Sequence, residues 1–180
     1  MRTLLTTLIA LALTSFVGGA AAQTVDQLPG YFALEDLDVF QPGEVEVDVD
    51  LRDSMIRAAA SATEKDNEFK ELLNGIRRVR VKVGTVGAGN PEAIRSTIDG
   101  AAAQLEGAGW YRMVTVRDDD ETVYVLAIEG DGLIHGLTAM VFDDDGEVVL
   151  VNIAGEMEPE AVGRVISNLE DLEDLGVDIG

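Results

Sequence analysis

Valine alternates with a carboxylate from Glu44 to Asp50: Val45, Val47 and Val49 fall on one side, Glu46, Asp48 and Asp50 on the other. A period of two predicts a strand with one buried face. The same period returns from Arg78 to Val86, with Val79, Val81 and Val83 opposite Arg78, Arg80 and Lys82. Between them the period changes. Leu51, Met55, Ala59 and then Phe69, Leu72, Leu73 and Ile76 recur at helical spacing, and Thr63-Glu64-Lys65-Asp66 reads as a break with a fresh cap, so two helices are expected.

A glycine-bearing loop (Gly84, Gly87, Gly89) then leads to Asn90-Pro91-Glu92. Asn90 suits an N-cap, Pro91 the first helical position, and Glu92 the positive end of the helix dipole. Ile94, Ile98, Ala101, Ala102 and Leu105 form one apolar helix face, which Gly107 and Gly109 end. Four closely spaced strands follow: Trp110 to Arg117, Thr122 to Glu129, Leu133 to Phe142 and Glu147 to Ala154. Their short acidic and glycine-rich connections fit hairpins. Leu133 to Phe142 is apolar on both faces and belongs in the middle of a sheet. Pro159 opens a last helix carrying Val162, Val165, Ile166 and Leu169.

The order β-α-α-β-α-β-β-β-β-α predicts one α+β domain over residues 44–169. It is expected to have two layers: a mixed, mainly antiparallel sheet of about six strands, with helices packed on one face. The two charged strands are expected to be parallel neighbours joined by a right-handed crossover. Their valines would face the helices and their charges would face outward.

The ends of the chain add a compartment. Arg2, the apolar run Leu4 to Val17 and Ala20-Ala21-Ala22 make a secretory signal peptide over residues 1–22, with cleavage before Gln23. The apolar run is shorter than the ~20 residues of a spanning helix. A periplasmic or secreted protein is expected, with no membrane insertion after cleavage. Residues 23–43 carry Tyr31, Phe32, Leu34, Leu37, Val39 and Phe40. They are too apolar for a free tail and should dock on the domain. Residues 170–180 form an acidic tail.

Cleavage leaves 158 residues with 12 basic against 34 acidic side chains and no cysteine. A hydrophobic core, not disulfides, must hold the fold. Such an excess of negative charge excludes nucleic acid and anionic membranes as partners.

Few residues carry chemistry. Gly84-Thr85-Val86-Gly87-Ala88-Gly89 lies where phosphate loops lie, but Glu92 and Asn90-Pro91 break the dinucleotide and Walker patterns. His135, the single histidine, sits in a doubly apolar strand with no nucleophile motif to serve it. Zinc hydrolysis ordinarily draws on more than one histidine. Asp118 to Glu121 and Asp143 to Asp145 read as solvated turns rather than calcium loops, because adjacent carboxylates on a tight turn cannot all reach one ion. No cofactor and no metal site is expected. Trp110 and Tyr111 read as edge or core packing.

One feature departs from the acidic background. Arg77, Arg78, Arg80 and Lys82 concentrate a third of the mature basic residues in one strand. Arg78, Arg80 and Lys82 are the candidate binding residues, for a small anion or a partner protein. The competing reading is a cross-strand charge ladder with Glu44, Glu46, Asp48 and Asp50, each exposed pair worth only ~0.2 to 1 kcal/mol.

Pro29-Gly30-Tyr31-Phe32 with Leu34 and Leu37, the strand Glu44 to Asp50, Gly136-Leu137 and Val151-Asn152-Ile153-Ala154-Gly155 together resemble the exported bacterial family called domain of unknown function 4252. The resemblance covers most of the mature chain. It implies one exported domain and no active site; relatives that are lipoproteins carry a cysteine that this chain lacks. The functional expectation is a non-catalytic, exported binding or accessory protein of the bacterial cell envelope. The alternative is a hydrolase using an unmarked pair of carboxylates.

Overall fold

A computed structural model describes residues 28–62, 67–87, 91–118 and 121–164. The expected signal peptide, the helix break at 63–66, Asn90 and the acidic tail lie outside them.

Six strands form one open sheet. They are β1 (Val45–Arg52), β2 (Ile76–Thr85), β3 (Tyr111–Arg117), β4 (Glu121–Gly130), β5 (Leu133–Asp143) and β6 (Glu147–Met157). Their order is β1-β2-β6-β5-β4-β3, and every adjacent pair is antiparallel. The meander β3 to β6 follows from the short turns. In the last of them Asp143 Oδ1 accepts the Glu147 N–H at 2.8 Å, and Gly146 takes a positive φ of 90° that a side chain would resist.

β1 and β2 are neighbours but antiparallel, a correction to the parallel crossover. Helix α1 (Asp53–Ala62) and helix α2 (Asn67–Gly75) pack on each other. A single helix would return the chain to the start of β1, as a parallel neighbour requires. Two helices run out and back, so β2 begins beside the end of β1 and Arg52 faces Arg78.

Helix α3 (Pro91–Gly107) carries the chain from the β2 side to the far edge at β3. Its stripe Ile98, Ala101, Ala102 and Leu105 is buried, as its spacing predicts. It packs on Tyr124, Leu126, Met140, Phe142, Val148 and Leu150, all even-numbered and therefore on one face. Ile56 of α1 and Leu72 of α2 pack instead with Leu51, Val79, Leu137 and Ile153, on the opposite face. The α+β class and the six strands stand. The helices, however, divide between the two faces instead of sharing one, and the sheet is wholly antiparallel instead of mixed. The reason is that α1–α2 closes a local β1–β2 connection, whereas α3 must cross the whole sheet. Trp110 is buried in the α3 core directly after Gly109 ends the helix at a φ of 97°.

Candidate functional site

The charged strands point inward, the reverse of the expectation. Arg78 and Arg80 lie on the α3 face, with side chains only 8% and 7% exposed. Their valines lie on the other face. The covering element is the segment 28–41, which runs over β2 and β6 and contains a short 3-10 turn at Leu34–Asp36. Tyr31 and Glu35 supply what buried guanidinium groups need, an aromatic face and a carboxylate.

Arg78 donates from Nε to Asp50 Oδ1 at 3.0 Å and from Nη2 to Oδ2 at 3.4 Å, and stacks 4.6 Å above the Tyr31 ring. Arg80 donates from Nη1 to Asp48 Oδ1 at 3.1 Å and to the Val49 carbonyl at 3.3 Å, and from Nη2 to Glu35. Arg80 Nε is buried without a hydrogen-bond partner among the described residues. Lys82 stands 3.9 Å from Asp48. The bonds run diagonally: Arg78 lies opposite Arg52 yet reaches Asp50, and Arg80 lies opposite Asp50 yet bonds Asp48.

Partial burial alone would raise the Glu35 carboxyl. Its own backbone N–H and Arg80 outweigh that and hold it below its ordinary 4.5. Burial likewise opposes ionisation of Asp50, and the hydrogen bonds from Arg78 and Arg52 bring it below 3.8. The three basic residues are thus brought together, but their charge meets the chain's own carboxylates.

The same segment is pinned at a second point. Asn152, fully buried on β6, donates from Nδ2 to the Gly30 carbonyl at 3.1 Å and to Thr138 Oγ1 at 2.9 Å, and its Oδ1 accepts the Phe32 N–H at 3.2 Å. Gly30 passes so close to β5 that a Cβ there would fall onto the His135 carbonyl. Gly30, Gly136 and Asn152, quoted above for the resemblance, therefore have packing and hydrogen-bonding roles. Sequence reasoning missed Asn152 as the anchor. A polar amide inside an apolar strand was the available signal.

The glycine loop has an internal ligand. Glu44 accepts the Gly87 N–H at 2.9 Å on one oxygen and the Gln41 N–H at 2.7 Å on the other. These bonds hold its carboxyl below the usual range. The Gly87 N–H of the loop is thus met by a side chain of the protein. His135 is half-buried beside the β5 bulge. Asp144 pairs with Arg95 at 2.6 Å. Tyr111 bonds Glu129, and burial with that carboxylate pushes its phenol up to about 12. Among the described residues, no three His, Asp or Glu side chains gather as a metal site requires. No helix among them is long and apolar enough to cross a membrane.

The opposite face carries the valines. Val47 on β1 and Val114 on β3 are each 43% exposed, and Met113 and Val116 lie equally open. Val149 and Val151 on β6 and Val123 and Val125 on β4 are half-buried. The α1–α2 pair covers only one end of this face. Beside that end lies an apolar groove of about 310 Å³. Its floor is Ile76 of β2, Val151 and Ile153 of β6, Ala139 of β5 and Val125 of β4, with Met113 of β3 at the far side. Leu72 and Val162 form the wall at the helical end. A concave apolar surface of this kind binds apolar side chains and offers little for acid–base work. Glu71, Glu156, Glu158 and Glu160 line an adjoining cleft outside Leu72.

No curated protein and no solved structure matches the chain. The family model Domain of unknown function (DUF4252) matches residues 42–165, which hold all six strands, Gly136 and Asn152 but not Pro29 to Phe32. By that match, the chain belongs to the domain of unknown function 4252 family.

Proposed function

We propose that the chain is a non-catalytic, exported binding or accessory protein of the bacterial envelope, and that its valine face is the working surface. The carrying observation is the apolar groove across the sheet, open at Met113 and walled by Leu72 and Val162. Soluble proteins expose large contiguous apolar patches mainly where something binds. Export rests on residues 1–22. Support for a non-catalytic role is that Asp48, Asp50, Glu35 and Glu44 are engaged in holding strands, loop and leading segment together. The Arg78–Arg80–Lys82 strand does the same structural work, so an anion is the weaker choice of ligand.

The test is affinity capture from an envelope extract with three baits. Wild type and a Glu92→Lys control on α3 should retain the same partner, and Met113→Glu should lose it at least tenfold. Retention by all three baits would remove the valine face as the binding surface. Intact mass of the protein recovered from that compartment should begin at Gln23.

A further inference from the structure

Leu72 borders two depressions at once. On one side of it lies the apolar groove, and on the other the cleft lined by Glu71, Glu156, Glu158, Glu160 and Arg164. The four glutamates are exposed, and they outnumber the guanidinium beside them. Whatever fills the groove and extends past Leu72 enters negative ground.

The groove also restricts the occupant's backbone. Thr138 turns its hydroxyl to Asn152, and every other side chain on the groove is apolar. The main-chain groups of the floor are spent between neighbouring strands, because β2, β6, β5, β4 and β3 pair in succession. Buried main-chain N–H and C=O groups need partners. An extended segment crossing this floor would find none, whereas a helix satisfies its own. From β6 to β3 is three strand spacings, about 14 Å. That is about nine residues of helix, room for apolar anchors at i, i+4 and i+7.

We propose that the groove takes a cationic amphipathic helix of a partner protein. Its apolar side chains lie on the floor between Val162 and Met113, and a lysine or arginine at one end passes Leu72 to lie among Glu71, Glu156, Glu158 and Glu160. The charge of the whole chain agrees, since a net −21 attracts a basic partner and speeds its encounter. An anionic lipid could place its acyl chain in the groove, but the cleft repels its headgroup. A second copy of the chain brings another −21 to the contact. The assignment rests on the valine face being the working surface, as proposed above, and adds the chemistry of its partner.

The probe is a displayed library of helical peptides of about nine residues. Leucine is fixed at i, i+4 and i+7, and the other positions are drawn from lysine, glutamate, glutamine and alanine. The baits are full chains, each first checked for wild-type circular dichroism. Wild type should enrich lysine over glutamate at one end of the peptide at least tenfold. So should the control Glu92→Gln with Asp145→Asn, which loses the same charge on α3 and in the turn before β6. Glu71→Gln with Glu160→Gln should cut that enrichment at least fivefold while still retaining peptides. Glu156→Gln with Glu158→Gln should do the same and guards against one misfolded bait. Met113→Glu should retain no peptide above background.

Lysine enriched equally by the cleft variants would overturn the placement, because charge at a distance would then explain the preference. Peptides retained without charge preference would overturn the cationic end. No peptide retained above the Met113→Glu background would overturn the helical occupant. Phosphatidylglycerol vesicles held by wild type but not by Met113→Glu would overturn it in favour of a lipid, and self-association lost in Met113→Glu in favour of a second copy. No envelope extract enters this readout, so a failed capture leaves it standing. Its own failure leaves the valine face open to a partner of other chemistry.

Discussion

The two faces of one sheet have exchanged their expected roles. On β1 and β2 the residues that composition would place in water, Arg78, Arg80 and Asp50, are covered by the segment 28–41. The valines beside them are half-open. The difference teaches that alternation assigns residues to two faces but does not say which face is covered. The cover decides. A segment that brings Tyr31 and Glu35 can bury arginines, because it supplies ring and carboxylate together. Nothing of comparable extent among the described residues lies over the valines beyond α1–α2.

The largest expected effect comes from reversing charge on the covered face. Arg80→Glu puts a carboxylate among Asp48, Asp50 and Glu35, where the arginine is 7% exposed. Breaking a buried charge network costs about 3 to 5 kcal/mol, against the ~1 kcal/mol expected of an exposed ladder. Urea unfolding of Arg80→Glu and Lys82→Glu should separate the two, since Lys82 keeps more solvent and stands 3.9 Å from Asp48. Equal small losses would return the ladder to the surface.

A finer comparison uses adjacent residues and one chemical change. Val148 is fully buried against the α3 core; Val149 is half-buried on the valine face. Val148→Thr should cost about 1 to 3 kcal/mol for a buried hydroxyl. Val149→Thr should stay within about 0.5 kcal/mol. Similar values for both would mean that the two faces are equally dry.

Acid gives the smallest effect. Folding holds Asp50 and Glu35 below their ordinary 3.8 and 4.5. Groups lowered in this way stabilise the fold fully above those values and lose the contribution as pH falls through the lowered ones. Both carboxylates keep solvent contact, so the loss should be less than ~1 kcal/mol. Proteolysis within residues 28–41 should accelerate below about pH 4.5 in wild type. In Glu35→Gln that acceleration should shrink. An unchanged pH profile in Glu35→Gln would detach Glu35 from the ladder.

Much of this architecture is legible in the sequence. Period-two runs give β1 and β2, four closely spaced segments joined by short turns give β3 to β6, and the α3 stripe is read residue by residue. The pairing of β1 with β2 follows from their opposite charges. Their direction is missed although two helices are expected: a pair of helices that runs out and back leaves the chain beside the end of β1, where β2 begins antiparallel. The inward turn of the arginines is also hidden, since it depends on contacts from Tyr31 and Glu35 more than forty residues away. Asn152 is visible as a polar residue in an apolar strand, but its partner, the Gly30 backbone, is 122 residues distant. The groove cannot be read locally because five strands and two helical segments contribute to it.

The most direct test of the covered arginine face is side-chain modification of the native protein with phenylglyoxal, read by peptide mass spectrometry. Arg52 and Arg57, with side chains 64% and 57% exposed, should react first. Arg78 and Arg80 should stay protected until the protein is unfolded. Modification of Arg78 and Arg80 at the rates of Arg52 and Arg57 would contradict the account and reopen that strand as a binding site.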